Sequence, residues 1–320
     1  MLLKIVSQFK GKKVAVLGDI MLDRYLWGEV TRISPEAPVP VVLKKKETFT
    51  PGAAANVAAN IVSLGGNCDL IGVVGADEAG SKLKDELNKR GIRTDMIVTD
   101  ASRPTTQKTR VMGNRQQLAR LDKEKRDAVS GSVEEEIIKK INQIAKDCDA
   151  FVISDYVKGL LTPKIAAEVH KVCSQNDIRI VCDGKPQNKE LFKNCYLITP
   201  NKKEAVAMVG NGKETIEVVG QKLSHKLNCN VLITLSEQGM ILIEKNGSIV
   251  NIPTKAREVF DVSGAGDTVA TATALAIAAK APLSDACRIG NYAAGVVVGK
   301  LGTSIITLKE LEEAIISDEK

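Results

Sequence analysis

A chain of 320 residues that is 44% hydrophobic and 26% charged can bury a substantial core and is not a disordered tail. Its net charge of +6 is spread over interspersed lysines and glutamates, and aromatics make up only 3%, which argues against a nucleic-acid surface. Seven cysteines without a C-x-x-C pair, and two histidines (His170 and His225) in helical patterns away from any cysteine or acid cluster, offer little to a zinc site or a Ser-His-Asp arrangement; buried free thiols and a reducing, cytoplasmic setting are expected.

The opening stretch "MLLKIVSQFKGKK" is too polar, and too short in its apolar part, for a signal peptide or a membrane span. "KKVAVLGD" then reads as a buried strand. "AAANVAANIVSLGG" reads as a helix ended by Gly65, and "SKLKDELNKRG" as an amphipathic helix stopped at Gly91. Ser132 and Glu135 have the spacing of a capping box ahead of Ile137, Ile138, Ile141 and Ile144. "AFVISDY" is a strand, and Thr162 caps a helix with Pro163 at its first position. "IRIVCDG" and "NCYLITPN" are further strands, and Ile216, Val219, Leu223 and Leu227 mark a helix face. "NVLITLSEQGMILIE" reads as two strands joined at "SEQG".

Strand alternating with helix predicts an α/β fold with a mostly parallel sheet covered on both faces. In such a sheet chemistry gathers at the carboxyl ends of the strands, where Asp19, Asp155, Asp183 and Asn201 each closely follow a strand. Two stretches break the alternation: 22–49, with three prolines, and 102–125, polar with runs of period two. Loops this long without structure are uncommon, so a small β lid over the carboxyl edge is expected, within one domain over 1–320.

Neither standard phosphate loop is present. "GVVVGKL" is one residue short of a P-loop and lacks its hydroxyl; "GAGDTV" lacks the last glycine of a dinucleotide fingerprint. In "DVSGAGDTV", however, Gly264, Ala265, Gly266 and Asp267 bring backbone N–H groups to a helix start, an anion hole suited to a transferred phosphoryl group, with the Asp267 carboxylate beside it as a base. The plainer reading is an N-terminal capping aspartate. In "PGAAANVA", Gly52 keeps side chains clear, and Asn56 sits where a helix does not favour asparagine unless it serves a hydroxyl-rich ligand or simply packs. Asp19 and Asp23 are either a grip for adjacent sugar hydroxyls or turn residues. Asn201 and Glu204, with Lys202 and Lys203 between them, are either a capping pair or part of a water-mediated magnesium site.

Together "PGAAANVA", "NKKE" and "DVSGAGDTV", in this order, resemble the ribokinase-like (PfkB) family of sugar kinases, over almost the whole chain. "GDIMLDRYLWGEVTRISPEAPVPVV", "NRQQLARLD", "SDYVKG" and "AAGVVVGKLGT" are similar to one branch, the kinase half of bacterial heptose kinases. These phosphorylate D-glycero-β-D-manno-heptose 7-phosphate at its anomeric hydroxyl on the way to ADP-heptose for lipopolysaccharide. Many carry a nucleotidyltransferase half with an H-x-G-H motif; this chain stops at Lys320 without one and so resembles the kinase-only form. The resemblance implies a three-layer α/β/α fold, ATP and Mg2+ as cofactors, and Asp267 as general base. It places Asn201, Lys202, Lys203 and Glu204 at the ATP phosphates and magnesium network, Glu204 through water. Ser236 and Gly239 fall at the nucleotide, and Asp19, Asp23, Gly52 and Asn56 at the sugar. Lys185, with Arg120 or Gln117 from the lid, falls at the distal phosphate. Two departures stand out: Ala53, where the family usually has a second glycine, and Gly184, where the branch usually has proline. A homodimer through the lids, with Val39, Val41 and Leu43 contributing, is expected because an isolated small sheet exposes its edges and one apolar face. A nucleotide-binding regulator without catalysis is the rival of another class.

Overall fold

The computed structural model describes all residues except 115, 145, 211–213, 257–258, 301, 303 and 319–320. Its strands are β1 (Lys13–Gly18), β2 (Ile20–Ile33), β3 (Pro40–Ala53), β4 (Asn67–Val74), β5 (Ile97–Thr99), β6 (Gln107–Gly113), β7 (Gln116–Lys123), β8 (Ala150–Asp155), β9 (Arg179–Gly184), β10 (Leu197–Ile198), β11 (Asn230–Thr234), β12 (Met240–Ile243) and β13 (Ile249–Ile252). Its α-helices are α1 (Leu2–Val6), α2 (Ala54–Ser63), α3 (Glu78–Asn88), α4 (Gly131–Ile144), α5 (Pro163–Gln175), α6 (Lys202–Val209), α7 (Ile216–Leu227), α8 (Ala265–Ala278), α9 (Leu283–Val297) and α10 (Leu308–Asp318).

Local sequence explains most of the helix starts. Thr162 accepts a hydrogen bond from the Ile165 N–H and is followed by Pro163, so α5 begins where its first free N–H groups find a partner. Asp77 does the same for α3 through Gly80. The expected capping box at Ser132 is displaced. Gly131, at φ +57°, turns the chain into α4 one residue earlier, and Ser132 falls inside the first turn.

The main sheet has nine strands in the order β13-β12-β11-β10-β9-β8-β1-β4-β5. It is parallel from β11 to β5, and β12 and β13 add an antiparallel edge. Alternation along β1 shows why both faces are covered. Val14 and Val16 enter one core with α2, α8 and α9, whereas Ala15 and Leu17 enter a second core with α4, α5 and α7. Helices therefore lie on both sides of a mostly parallel sheet. Six cysteines are buried free thiols and Cys148 is half-buried. His170 departs from expectation: its Nε2 lies 3.0 Å from the Leu191 carbonyl oxygen and 4.0 Å from Cys195 Sγ.

A second sheet, β3-β2-β6-β7, contains the two irregular stretches. The β2/β3 and β6/β7 pairs are antiparallel and β2/β6 is parallel. Because β2 starts one residue after β1, this sheet emerges from the carboxyl edge of the main one. Among the described residues, no helix is long and apolar enough to cross a membrane.

Candidate active site

Parallel pairing brings the ends of β1, β8, β9, β10 and β11 to one edge. Asp155 and Asp183 follow from β8 and β9, Asn201 sits just beyond β10, and α8 presents its N-terminus to the same region.

Gly264 opens α8 at φ +84°, a conformation that suits a residue without Cβ. Gly266 and Asp267 lie in the first turn, where N–H groups have no intrahelical carbonyl to reach. Of the four N–H groups expected to form an anion hole, that of Ala265 is committed elsewhere, donating to the Val262 carbonyl at 3.2 Å. The Asp267 carboxylate is buried, and both its oxygens are held. Asn56 Nδ2 donates to Oδ2 at 2.9 Å, and the Tyr156 hydroxyl donates to Oδ1 at 2.9 Å. Burial pushes its pKa up to about 6; the two hydrogen bonds and Lys185 oppose the rise, and the Asp23 charge adds to it. Asn56 is oriented in turn from its own helix, since Asn60 Nδ2 donates to both its carbonyl and its side-chain oxygen.

Asp183 stands beside this helix start: a Cβ built on Gly266 would lie 3.8 Å from its Oδ2. Burial raises its pKa to about 7, against the pull of Lys185. Lys185 Nζ pairs with Glu204 Oε1 at 2.6 Å and lies over the Tyr156 ring, 4.8 Å from its centroid. Asn201 and Glu204 form a complete capping box for α6: Glu204 N–H donates to Asn201 Oδ1, and Asn201 N–H donates to Glu204 Oε2, each at 3.0 Å. Glu204 is thus tied to its own helix and to Lys185 at once. Lys202 and Lys203 are exposed on the same turn. A parallel bridge from Asn201 to Thr234 sets this turn beside Ser236 and Gly239, which close the β11–β12 connection.

Asp23 is buried on β2, paired with Arg110 Nη1 at 2.7 Å. Gly52 faces it across the strand pair; a Cβ there would come within 2.8 Å of Asp23 Oδ2. Asp19, expected at the sugar, is held by the turn that follows β8. Its Oδ2 accepts from the N–H groups of Tyr156 (2.8 Å) and Lys158 (3.0 Å), and its Oδ1 from Leu160 (3.4 Å). It therefore shapes the 156–160 turn, in which Val157 adopts φ +55°. Burial lifts Asp19 to about 6 in spite of those donors. Gln117 and Arg120 lie exposed on the edge strand β7, with Arg120 bonded to both oxygens of Asp122 at 2.9 and 3.0 Å. Lys185 is paired with Glu204, beside Asp183.

Residue spacing had singled out neither Tyr156 nor the cations of β6. Tyr156 reaches Asp267 across 111 positions, and only its place beside the strand-end Asp155 hinted at it. Among the described residues, no cluster of three or more His, Cys, Asp or Glu side chains is arranged to cage a metal ion.

A carboxylate held by two donors at a glycine-opened helix start, at the carboxyl edge of a parallel sheet and beneath a second sheet, defines an α/β protein with a buried acid at its sheet edge. Residues 11–310 match the pfkB family carbohydrate kinase profile, and the chain belongs to that family and is a sugar kinase. Its sequence is similar to the Bifunctional protein HldE of Photorhabdus laumondii subsp. laumondii, with 44% identity over 313 residues covering 97% of this chain and 65% of the relative. The Bifunctional protein HldE of Geobacter sulfurreducens is 42% identical over 300 residues, covering 92% and 61%. The chain thus spans less than two thirds of the length of these relatives. In fold it is similar to Arabidopsis thaliana ribokinase complexed with ribose and ATP (TM-score 0.74, 20% identity, 95% of this chain and 99% of that one). It is likewise similar to Escherichia coli phosphofructokinase-2 in complex with potassium (TM-score 0.79, 18% identity, 97% and 100%).

Proposed function

We propose that this sugar kinase transfers the γ-phosphoryl group of ATP to the anomeric hydroxyl of D-glycero-β-D-manno-heptose 7-phosphate, giving the 1,7-bisphosphate. The observation that carries the reading is Asp267: a buried carboxylate with a pKa of about 6, aimed by Asn56 and Tyr156 beside the free N–H groups of a helix start. At neutral pH it is ionised and accepts the proton of the attacking hydroxyl. An anomeric hydroxyl is more acidic than an ordinary alcohol, so one carboxylate suffices. The N–H groups at Gly264, Gly266 and Asp267 face the charge on the transferring group. The similarity to HldE proteins supports a heptose substrate.

In this reading Asp23, kept clear by Gly52, binds sugar hydroxyls. The adjoining turns at Asn201–Glu204 and Ser236–Gly239 receive the nucleotide. The donor set fits magnesium that arrives on the nucleotide's phosphates, since Glu204 is the acid at that turn and both its oxygens are engaged. Glu204 would hold it through water, and the ion would neutralise phosphate charge. The second sheet acts as the lid of a single kinase domain. Exposed Ile33, Leu43 and Leu121 of that sheet, with Val39 just before β3, support a homodimer formed through the lids, which a solution mass at micromolar concentration tests.

The deciding experiment is an ADP-release assay with heptose 7-phosphate beside ribose and fructose 6-phosphate, with the phosphorylated carbon located by NMR. Phosphate on C1 of the heptose is expected. A stronger turnover on ribose or fructose 6-phosphate would assign another sugar, and no ADP release with any sugar would favour the non-catalytic regulator.

A further inference from the structure

The turn that carries Tyr156 is strained and tied from two sides. Val157 adopts φ +55°, a left-handed backbone that a β-branched residue enters only at a cost, so the surrounding contacts must hold it there. From the main sheet, Asp19 accepts the Tyr156 and Lys158 N–H groups, and Asp155 Oδ1 accepts that of Val157 at 3.0 Å. The other ties come from the segments that lead into β6 and out of β7, the hairpin of the second sheet. Ahead of β6, Arg103 donates to the Lys158 carbonyl at 3.2 Å and to the Asp127 carbonyl at 3.0 Å, and is itself held by Asp100 at 2.9 Å. Just after β7, Glu124 Oε2 lies 2.6 Å from Lys158 Nζ, with both side chains mostly covered. Three residues on, the Asp127 carbonyl packs so closely on Gly159 that a Cβ there would come within 2.1 Å of its oxygen. The Val129 N–H then donates to the Gly159 carbonyl at 2.8 Å. Both ends of the β6–β7 hairpin therefore meet on one turn, and the side chain two residues before Lys158 is a donor to Asp267.

We infer that Glu124 and Lys158 are positioning residues for the base: their ion pair joins the second sheet to the turn that aims Tyr156 at Asp267. This rests on the reading of Asp267 as the base and deepens it. A strained turn keeps its shape only while its contacts outweigh the strain. Cutting the pair lets the backbone at 156–158 relax toward an ordinary conformation and moves the phenol off the carboxylate. The ionised form of Asp267 then loses a donor, and its pKa rises. The direct effect of charge runs the other way. Loss of the Glu124 carboxylate removes a negative charge, which by itself would lower the pKa of Asp267. The sign of the shift thus separates positioning from a field effect.

The test follows the acid limb of kcat/KM by ADP release, with heptose 7-phosphate or whichever sugar turns over faster, in wild-type protein, Glu124→Gln, Lys158→Arg and Asp267→Asn. Glu124→Gln is expected to move the limb upward by about half a unit, read as about a twofold greater loss at pH 6 than at pH 8.5. Lys158→Arg keeps the pair and should leave the limb in place. In a Tyr156→Phe background Glu124→Gln should add no further shift, because the donor it positions is gone. Lys158→Met cuts the pair from the other side; it too should move the limb upward, and most of that shift should vanish in the same background, which keeps the test decisive if Glu124→Gln folds poorly. A limb unmoved or lowered in Glu124→Gln, or an equal shift with and without the Tyr156 hydroxyl, would overturn the assignment. A limb that persists in Asp267→Asn would remove the base and its positioning pair together, whereas a limb lost there but unmoved by Glu124→Gln would remove the pair's role alone.

Discussion

Tyr156 and Asn56 hold opposite oxygens of the Asp267 carboxylate at the same 2.9 Å distance, one from the turn after β8 and the other from α2. The acid is fixed in orientation before any substrate arrives. Its two supports also stabilise the ionised form, which is the form a base needs.

Replacing Asp267 with Asn keeps the shape and removes the proposed base. Turnover should fall about 10²- to 10⁴-fold, the usual worth of a positioned base, while ATP affinity stays close to wild type. Steady-state kinetics and a nucleotide titration check this; a variant with wild-type kcat would remove Asp267 from the chemistry. In the wild-type protein kcat/KM should decline below about pH 6, as the buried acid takes up its proton.

Tyr156→Phe deletes one donor to the carboxylate and leaves the ring in place. The phenol is held protonated by burial and by the nearby Asp267, so it serves as a donor throughout the working pH range. Its loss should raise the Asp267 pKa, moving the acid limb of kcat/KM about one unit upward. Activity at pH 6 should therefore suffer more than activity at pH 8.5. A limb that stays in place would show that the phenol does not tune the base.

Asp183 makes stability depend on pH in the sense opposite to most carboxylates. Its folded pKa, about 7, lies above that of the unfolded chain. The folded state therefore binds the extra proton between about pH 4 and pH 7, and the stabilisation present at low pH is lost as pH rises through the folded value. Asp183→Asn should flatten this decline, gaining about 2 kcal/mol at pH 8 relative to pH 5. Urea unfolding of both proteins at the two pH values measures it; parallel curves would refute the burial argument.

Ala53 adopts φ 53° and ψ −128°, backbone that glycine enters far more readily. It sits at the junction of β3 and α2, where related sugar kinases usually have a second glycine. Ala53→Gly should stabilise the fold by about 1 kcal/mol, read as a higher midpoint in thermal or urea unfolding. An unchanged or lower midpoint would mean that the methyl group's packing outweighs the strain.

The layered fold and the opening of α8 were legible because both are local: alternation of strand and helix, and glycines next to an acid. The capping box at Asn201 and Glu204 was readable for the same reason, although spacing alone did not show that Lys185 also claims Glu204. What spacing could not reveal were partners brought in by tertiary pairing. Asp19 looks like any strand-end acid until β8 pairs with β1 and delivers three N–H groups to it. Arg110 looks like a solvated charge on a polar strand until β6 aligns with β2 and meets Asp23.

Every residue of α8 from Asp267 to Ala278 is buried, and its threonines and alanines let neighbouring helices approach closely. A helix gripped on all sides has no room to slide or pivot, so the acid at its head is a stationary anvil. Whatever adjustment turnover requires must come from the opposing polypeptide, and changes that stiffen that side should slow the enzyme without touching its proton chemistry.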